Sequence, residues 1–356
     1  MVVNIRTINR ETTLQREVST PFIKAVLELI RGTYQNYDFI ELENPTSCVD
    51  TKAVSDFLEF ILRYPPGVKI PKVIIKDSVF EKKTYSDFFS VDDADIVCFS
   101  GGIDSTGALL HLIEQKRNVA ALWCDYGQPY NEPERTAVRK ICQKLSVRLF
   151  EAAVDLSSLI ALGTERFKHI FPARNLLITS IAVALNPREV VIAGLSDELT
   201  VPDKSLRMYA EAPIYLNYKI YSPFINMTKA EVLSVWKKRW NSIINVDETV
   251  SCYDKGGDCQ NCSSCAKREV AKIASCYSDV FPPVFCHQAE LIEKHWFPRI
   301  ETFCSTRRDE ILIALNRFID IIPNELQMLV KHYSQIYYSE IVDWRNHLIH
   351  IRDVIQ

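Results

Sequence analysis

The sequence predicts an α/β fold: a doubly wound, mostly parallel β-sheet with a four-cysteine zinc element, an N-terminal α+β extension and a C-terminal helical extension. Three observations predict it. Short apolar runs alternate with helical patterns between residues 95 and 193, a glycine-rich loop follows the first run, and four cysteines lie within residues 252–265. We therefore divide the chain into residues 1–92, 93–283 and 284–356.

Length, composition and charge exclude several classes of protein. The chain has 356 residues, of which 47% are apolar, so it can bury a large core and is not a disordered chain. Its formal net charge of −3 gives no general attraction to nucleic acid or to anionic membranes, and we expect neither as a partner. The 11 cysteines are partly clustered and odd in number, and no apolar signal segment opens the sequence, so we expect a cytoplasmic protein.

The first predicted elements belong to the N-terminal extension. Helical patterns occupy residues 20–31 and 51–63, where the second ends at a Pro-Pro-Gly breaker, and residues 73–75 form a short strand pattern. No cluster of chemically reactive side chains occurs in this part of the sequence. We therefore expect the functional site in the middle of the chain.

The central sheet is predicted from four short apolar runs and the helical patterns between them. The runs lie at residues 96–99, 119–124, 147–154 and 190–193. The helical patterns lie at residues 105–115, 132–145 and 175–185, and further ones follow at 266–281 and 287–356. This alternation is typical of parallel strands with helices on both faces. Ligands of such sheets bind beyond the carboxyl ends of the strands, so the segments after the first two strands should border one crevice.

The loop Ser-Gly-Gly-Ile-Asp-Ser-Thr at residues 100–106 joins the first strand to its helix. Glycines let the backbone approach an anion, and the amides at a helix N-terminus attract it, so the loop predicts a site for ATP phosphates. Asp104 is expected to bind an Mg²⁺ ion that is bound to the pyrophosphate. A loop that binds the pyrophosphate end of ATP favours attack at the α-phosphate, which gives AMP and pyrophosphate. The alternative is a glycine turn before an ordinary helix. The predicted nucleotide-binding residues are Phe99, Ser100, Gly101, Gly102, Asp104, Ser105, Thr106, Asp125 and Gly127.

Four cysteines in the spacing C-x6-C-x2-C-x2-C predict a metal site, namely Cys252, Cys259, Cys262 and Cys265. Four thiolates satisfy the tetrahedral coordination of Zn²⁺, and the short spacing lets neighbours share one ion. An iron–sulfur cluster and a set of unmetallated core cysteines are the alternatives, although the residues between the cysteines are polar. A closed four-cysteine zinc site is structural, so we assign it no step of a reaction.

The order of several short motifs resembles one enzyme family. The loop has the SGGxDS pattern of the N-type ATP pyrophosphatases, or PP-loop enzymes. It precedes DYGQ at 125, FPARN at 171, AGLSDE at 193, VPDKS at 201, SPFINMTKAE at 222 and the cysteine run from 251. In this order, and over roughly residues 95–280, the chain resembles the 7-cyano-7-deazaguanine synthase family.

The resemblance implies an enzyme that binds ATP at the loop and activates the carboxylate of 7-carboxy-7-deazaguanine as an acyl-adenylate. In that family, ammonia then forms the amide, a second ATP drives its dehydration to the nitrile, and a structural zinc lies near the site. The implied catalytic residues are Asp104, Ser105 and Lys229, of which the lysine would stabilise charge at the α-phosphate. The implied substrate-binding residues, near the phosphates or the polar edge of the base, are Arg174, Asn175, Asp197 and Asp203.

Departures from the family pattern concern the step after adenylation. Ala173 replaces the usual glycine of the FPARN segment, Lys204 replaces the usual cysteine after Pro-Asp, and both terminal extensions are additional. Extended relatives look like components of bacterial anti-phage operons, in which a protein amine would replace ammonia. We therefore keep the hypothesis that the extensions dock a partner protein that supplies the amine. The alternatives are that the extensions brace the sheet or form a homodimer.

Two other functional classes compete with this interpretation. A tRNA-modifying PP-loop enzyme would carry a catalytic cysteine pair and a basic RNA-binding face, and the net acidity disfavours it. A binding module without catalysis is disfavoured by the loop hydroxyls and Asp104. The tail from Arg345 to His350 matches the R-N-x-x-x-H pattern of helical HEPN ribonucleases, but we interpret it as a helix surface that carries two histidines.

Overall fold

The structure is a computed structural model of the chain. It describes residues 3–8, 13–18, 39–44, 72–77, 91, 93–127, 130–154, 174–196, 218–252, 257–301 and 305–354. The helical patterns predicted at 20–31 and 51–63, and the predicted site residues Asp197 and Asp203, lie outside these described residues.

The elements alternate through the middle of the chain as predicted. The described strands are β1 (Val3–Ile8), β2 (Thr13–Val18), β3 (Phe39–Asn44), β4 (Lys72–Asp77), β5 (Asp95–Cys98), β6 (Val119–Asp125), β7 (Arg148–Val154), β8 (Glu189–Ile192) and β9 (Ile220–Tyr221). The described α-helices are α1 (Ile103–Glu114), α2 (Asn131–Leu145), α3 (Arg174–Ala184), α4 (Lys229–Arg239), α5 (Ser263–Ala274), α6 (Val284–His287), α7 (Ala289–Leu291), α8 (Ser305–Asn316), α9 (Asn324–Ile336) and α10 (Tyr338–Val354). Short helical turns of other types occupy Val246–Glu248, Ile292–Trp296 and Phe297–Arg299.

The central sheet has the strand order β2-β1-β7-β6-β5-β8-β9. Its five strands from β7 to β9 are parallel, which confirms the predicted mostly parallel α/β fold. Strand β5 lies between β6 and β8 and is buried along its whole length. Because the carboxyl ends of these strands share one edge, the loops after β5 and β6 meet there, as the sequence predicts.

Part of the N-terminal extension belongs to this sheet. Strand β1 pairs antiparallel with β7, and β2 pairs antiparallel with β1. The pairing covers the free edge of β7, whose backbone groups would otherwise lack partners. The predicted strand at 73–75 is confirmed within β4, which pairs in parallel with β3 in a second, two-stranded sheet. The domain boundary at residue 92 stays a prediction.

The predicted C-terminal end of one helix in the middle of the chain was wrong. The pattern at 266–281 predicted a longer helix, whereas α5 ends at Ala274. The chain turns at Cys276, whose φ of 56° lies in the left-handed region, and the amide of Tyr277 bonds back to the carbonyl of Lys272. This αL turn at the C-terminus ends the helix before the two prolines do.

The C-terminal extension packs against the sheet domain through an apolar cluster that also contains Val270 and Ile273 of α5. Helix α8 contributes Ile311, Leu312 and Leu315 to this cluster, together with Trp296 and Phe297 from the turns before it. Helices α8, α9 and α10 confirm the predicted helical character of this part. Within the part of the chain that the structure describes, no helix is both long enough and apolar enough to cross a membrane.

Candidate active site

The glycine loop lies immediately beyond the carboxyl end of β5. Gly101 has a φ of 71°, and a Cβ there would lie 3.2 Å from Cγ2 of Val138, so both conformation and space require glycine. The Ser105 hydroxyl donates to the Gly102 carbonyl over 3.3 Å and accepts from the Ser100 amide over 3.3 Å. These bonds hold the loop at the N-terminus of α1, where backbone amides and the helix dipole favour a bound phosphate.

Asp104 and Lys229 form a charged pair beside the loop. Nζ of Lys229 lies 2.7 Å from Oδ2 of Asp104, and the two side chains are 22% and 26% exposed. The two residues meet because α1 and α4 pack closely at Gly107, where an added Cβ would lie 3.2 Å from both Phe224 and Val232. Oδ1 of Asp104 is buried and has no hydrogen-bond partner among the described residues. A buried carboxylate oxygen without a hydrogen-bond partner is suited to bind Mg²⁺, as the sequence predicts. The Mg²⁺ contact itself stays a prediction.

A short segment links the glycine loop to the cysteine element. The amide of Val250 donates to the carbonyl of Gly101 over 2.9 Å. Arg268 on α5 donates to the carbonyl of Thr249 over 2.7 Å. Since the same segment runs on to the first cysteine, the cysteine element braces the loop from one side.

The four predicted metal ligands do come together. The Sγ atoms of Cys252, Cys259, Cys262 and Cys265 all lie within 4.8 Å of one another. Four sulfurs around one Zn²⁺, each about 2.3 Å from the ion, would lie about 3.8 Å apart. Backbone amides donate to three of the sulfurs over 3.3–3.4 Å.

The electrostatics of this cluster also favour a cation. The hydrogen bond with Cys262, and then burial, raise the pKa of Cys265. Four thiolates at such distances therefore need a compensating positive charge, which a divalent metal supplies. The cluster could hold a zinc ion, and its residues fit that ion in number, type and spacing.

A cleft of about 310 Å³ opens beside the loop. Three parts of the chain line it. The sheet side contributes the glycine loop, the strand ends and Lys229. The residues of the cysteine element and of α5 in its wall are Ser251, Cys252, Ser264, Lys267 and Val270. The residues of the C-terminal extension in its wall are Trp296, Arg307, Glu310 and Ile311.

The C-terminal extension also holds the N-terminus of α4, the helix that begins with Lys229. Oε1 of Glu310 accepts from the amide of Ala230 over 3.2 Å, and burial raises the pKa of this carboxyl to about 7. Nε2 of His347 lies 2.8 Å from Oε1 of Glu231, whose other oxygen accepts the N-cap amide of α4. Two separate helices of the extension thus anchor the turn that carries the site lysine.

Two buried thiols line the sheet side of the cleft. Cys98 and Cys124 are 8% and 2% exposed. Burial raises the pKa of Cys98 well above its usual value and that of Cys124 to about 12. Both thiols are therefore neutral near pH 7 and poor nucleophiles.

The predicted site residues fall into three groups. Those that line the cleft are Phe99, Ser100, Gly102, Asp104, Ser105, Asn175, Lys229 and Cys252. Among the described residues, those outside its lining are Gly101, Thr106, Asp125, Gly127, Cys259, Cys262 and Cys265. Asp125 pairs with Arg135 and accepts from the amide of Gly127 over 2.9 Å. Arg174 is placed only as the first residue of α3. The roles of all of these residues stay predictions.

Sequence reasoning missed several residues of the cleft. They are Trp123, Tyr130, Glu134, Lys267, Trp296, Arg307 and Glu310. Lys267 lies two residues after the last cysteine, so the cysteine motif was a usable pointer to it. No local pattern marked Trp296, Arg307 and Glu310 as cleft residues, because they reach the cleft through packing alone.

A parallel sheet with a hydroxyl-rich glycine loop at the carboxyl end of a central strand defines a nucleotide-binding α/β protein of the PP-loop class. The family model described as "Queuosine biosynthesis protein QueC" matches residues 94–275, just over half of the chain. The chain therefore belongs to the QueC family. The match includes the loop, α4 and the cysteine element, and it ends before α6.

Named relatives agree with this assignment. A 7-cyano-7-deazaguanine synthase of Archaeoglobus fulgidus is 30% identical over 214 residues, which cover 52% of this chain and 87% of that protein. One of Desulfitobacterium hafniense is 26% identical over 200 residues and covers 49% of this chain and 90% of that protein. One of Sulfolobus acidocaldarius is 28% identical over 213 residues, 49% of this chain, and the match spans only 45% of that longer protein.

Proposed function

We propose that this protein uses ATP to activate the carboxylate of 7-carboxy-7-deazaguanine as an acyl-adenylate. The observation that carries the proposal is the Lys229–Asp104 pair, 2.7 Å apart, beside a phosphate-type loop at the carboxyl ends of parallel strands. The names of the relatives support the deazaguanine substrate. The pyrophosphate of ATP would lie at the N-terminus of α1, and the α-phosphate would face Lys229.

The first step would be adenylation. A carboxylate oxygen attacks the α-phosphorus, the bond to the oxygen that bridges to the β-phosphate breaks, and pyrophosphate leaves with the electron pair. Lys229 would stabilise the oxygens of the α-phosphate, and the hydroxyl of Ser100 would donate to the pyrophosphate. The hydroxyl of Ser105 would keep the loop in shape through its bonds to the Gly102 carbonyl and the Ser100 amide. Asp104 would hold Mg²⁺, which when bound neutralises pyrophosphate charge.

The second step would form a C–N bond. The nitrogen of ammonia attacks the acyl carbon, AMP leaves with the electron pair of the anhydride bond, and the nitrogen releases a proton to solvent. In the reaction implied by the family, a second ATP then drives loss of water from the amide to give the nitrile. The four cysteines would hold zinc in a structural role, which keeps the segment at 249–252 against the glycine loop.

The competing tRNA-thiolation function gains no support from the cleft. Such chemistry needs a reactive thiolate, whereas Cys98 and Cys124 are buried with raised pKa values. Among the described residues that line the cleft, Cys252 of the cysteine cluster is the remaining thiol, and zinc would engage it. Acyl adenylation requires no thiol nucleophile and fits the described side chains better.

Isotope exchange tests the adenylation step directly. The full chain is incubated with ATP, labelled pyrophosphate and 7-carboxy-7-deazaguanine. We expect label to enter ATP only when the acid is present, because formation of an acyl-adenylate is reversible. The matched control is 7-deazaguanine without the carboxylate. Absence of acid-dependent exchange would contradict the proposal.

Product analysis then identifies the amine acceptor. With ammonium present, we expect mass spectrometry to detect the amide and then the nitrile of the deazaguanine. Acid-dependent pyrophosphate exchange without either product would indicate that ammonia is not the nucleophile of the second step. Another amine would then attack the acyl-adenylate, as in the predicted conjugation to a partner protein. The predicted partner protein and homodimer stay predictions, and intact mass measurement of co-expressed proteins tests the former.

A further inference from the structure

We propose that Arg307 of the C-terminal helix α8 binds an anionic group of the reactants inside the cleft. The proposal rests on the proposed function for the identity of those reactants. It adds to the site a residue that lies beyond the family match at 94–275. The C-terminal extension would then be part of the binding site and more than a brace for the sheet.

The position of Arg307 carries the proposal. Arg307 lines the same cleft as Ser100, Asp104 and Lys229. It is only partly exposed, so its charge is less screened by solvent than that of a surface arginine. A guanidinium in the wall of a cleft that also contains a phosphate-type loop is well placed to meet a ligand anion.

Helix α8 is anchored firmly enough to place this side chain. One turn after Arg307, Glu310 accepts the amide of Ala230 over 3.2 Å, and Ala230 directly follows Lys229. On the core side, Leu312 and Leu315 are fully buried. The position of Arg307 relative to Lys229 is therefore set by packed helices on both sides.

The charges in the cleft favour Arg307 over the other cations. Among the described lining residues, the cations are Lys229, Lys267 and Arg307. Lys229 lies beside the glycine loop, Lys267 is exposed, and Arg307 is only partly exposed in the wall formed by the C-terminal extension. The planar guanidinium can donate two parallel hydrogen bonds to a carboxylate or to two phosphate oxygens, which an ammonium cannot match.

Glu310 lies on the same helix as Arg307 and attracts its charge. Burial lowers the pKa of Arg307, and attraction to Glu310 opposes that shift. An arginine remains protonated at neutral pH even in such surroundings. The Glu310 carboxyl also bonds to the start of α4, so it is shared between two roles.

Two groups of the reactants have the required chemistry: the carboxylate of the acid and the phosphates of ATP. The test therefore has two arms, both with the full chain and isothermal titration calorimetry. One arm measures the Kd of α,β-methylene-ATP. The other measures the Kd of 7-carboxy-7-deazaguanine in the presence of that analogue.

The variants are Arg307→Gln, which removes the charge, and Arg307→Lys, which keeps the charge but cannot donate two parallel hydrogen bonds to one anion. The matched control is Arg308→Gln, because Arg308 lies on the same helix but stacks 3.6 Å over the ring of Tyr337 and pairs with Asp309. We expect Arg307→Gln to raise one of the two Kd values about tenfold or more, with a smaller rise for Arg307→Lys. The control should keep both Kd values and change only the thermal unfolding midpoint.

Two results would overturn the proposal. In the first, Arg307→Gln binds both ligands within about twofold of the wild type. In the second, Arg308→Gln loses affinity as strongly as Arg307→Gln, so the effect is structural. Failure of the proposed function is distinguishable: a wild type that binds the ATP analogue but not the acid would refute the substrate, while the ATP arm still decides the role of Arg307.

Discussion

The glycine loop and helix α8 border the same cleft, but their contributions arise in different ways. The loop is a run of seven consecutive residues, and the φ of Gly101 and hydrogen bonds within the run determine its shape. Helix α8 contributes Arg307 and Glu310, which reach the cleft because a separate apolar cluster packs the helix there. One half of the site is therefore encoded locally, and the other half depends on the folding of the extension.

This difference predicts two kinds of mutational effect. Substitutions of ligand-facing groups near the loop should reduce activity and leave the fold intact. Substitutions of the α8 residues that line the cleft should change stability together with binding, because the same helix completes the core and the cleft.

The largest effect is expected for Lys229→Ala. Removing the cation that would face the α-phosphate should lower the rate of acid-dependent pyrophosphate exchange by about 100-fold or more. The thermal unfolding midpoint should change little, because the side chain is partly exposed and only one ion pair is lost. Lys238→Ala, an exposed position on the same helix, is the control and should keep full exchange. A large fall in the thermal unfolding midpoint of Lys229→Ala would contradict this distinction between the loop and α8.

Cys262→Ser should have the next largest effect. We expect metal analysis to show about one zinc ion per chain in the wild type and almost none in the variant. Loss of the ion should also destabilise the chain and weaken exchange, because the cysteine element braces the glycine loop through Val250. Cys286→Ser is the control, since Cys286 is exposed and outside the cluster. A wild type purified without metal would refute the zinc assignment.

Glu310→Gln tests how α8 contributes to stability. The ordinary pKa of this carboxyl is 4.5, and burial raises it to about 7 in the folded chain, against weaker lowering by Thr228 and Arg307. Between these values the folded state keeps a proton that the unfolded state releases, so the stability contributed by Glu310 is lost as pH rises. From pH 5 to pH 8, the wild type should lose roughly 2 kcal/mol more unfolding free energy than the variant.

Denaturant titrations at both pH values measure this difference. The control is Glu325→Gln, an exposed residue in the first turn of α9, whose pH dependence should match that of the wild type. An unchanged pH dependence in Glu310→Gln would show that this carboxyl does not couple the extension to the site in the expected way.

The smallest effect is expected for Gly101→Ala. The left-handed φ and the 3.2 Å approach to Val138 should cost about 1–2 kcal/mol of unfolding free energy. The affinity for ATP should fall as well, because a shifted loop no longer presents its amides to the phosphates. Asn186→Ala is the control, since Asn186 also has a left-handed φ, of 50°, but is exposed and lies outside the lining of the cleft. It should cost stability without weakening ATP binding.

Features that arise between neighbouring residues could be predicted from the sequence. The strand-loop-helix unit at 95–114, the parallel sheet and the meeting of the four clustered cysteines were all predictable, because each depends on a local pattern or a short spacing. Lys229 lies 125 residues from Asp104 and was expected only through the resemblance to a family. The meeting of the two side chains required the packing of α1 against α4.

Packing between distant segments determines which parts of the chain complete the sheet and the cleft. Strand β1 joins the edge of β7, and α8 carries Arg307 and Glu310 to a site about 200 residues earlier in the sequence. Neither contact has a local pattern, since edge pairing and helix packing depend on whole surfaces that exist only after the chain has folded. Local chemistry thus specifies where phosphate can bind, and packing specifies which side chains surround it.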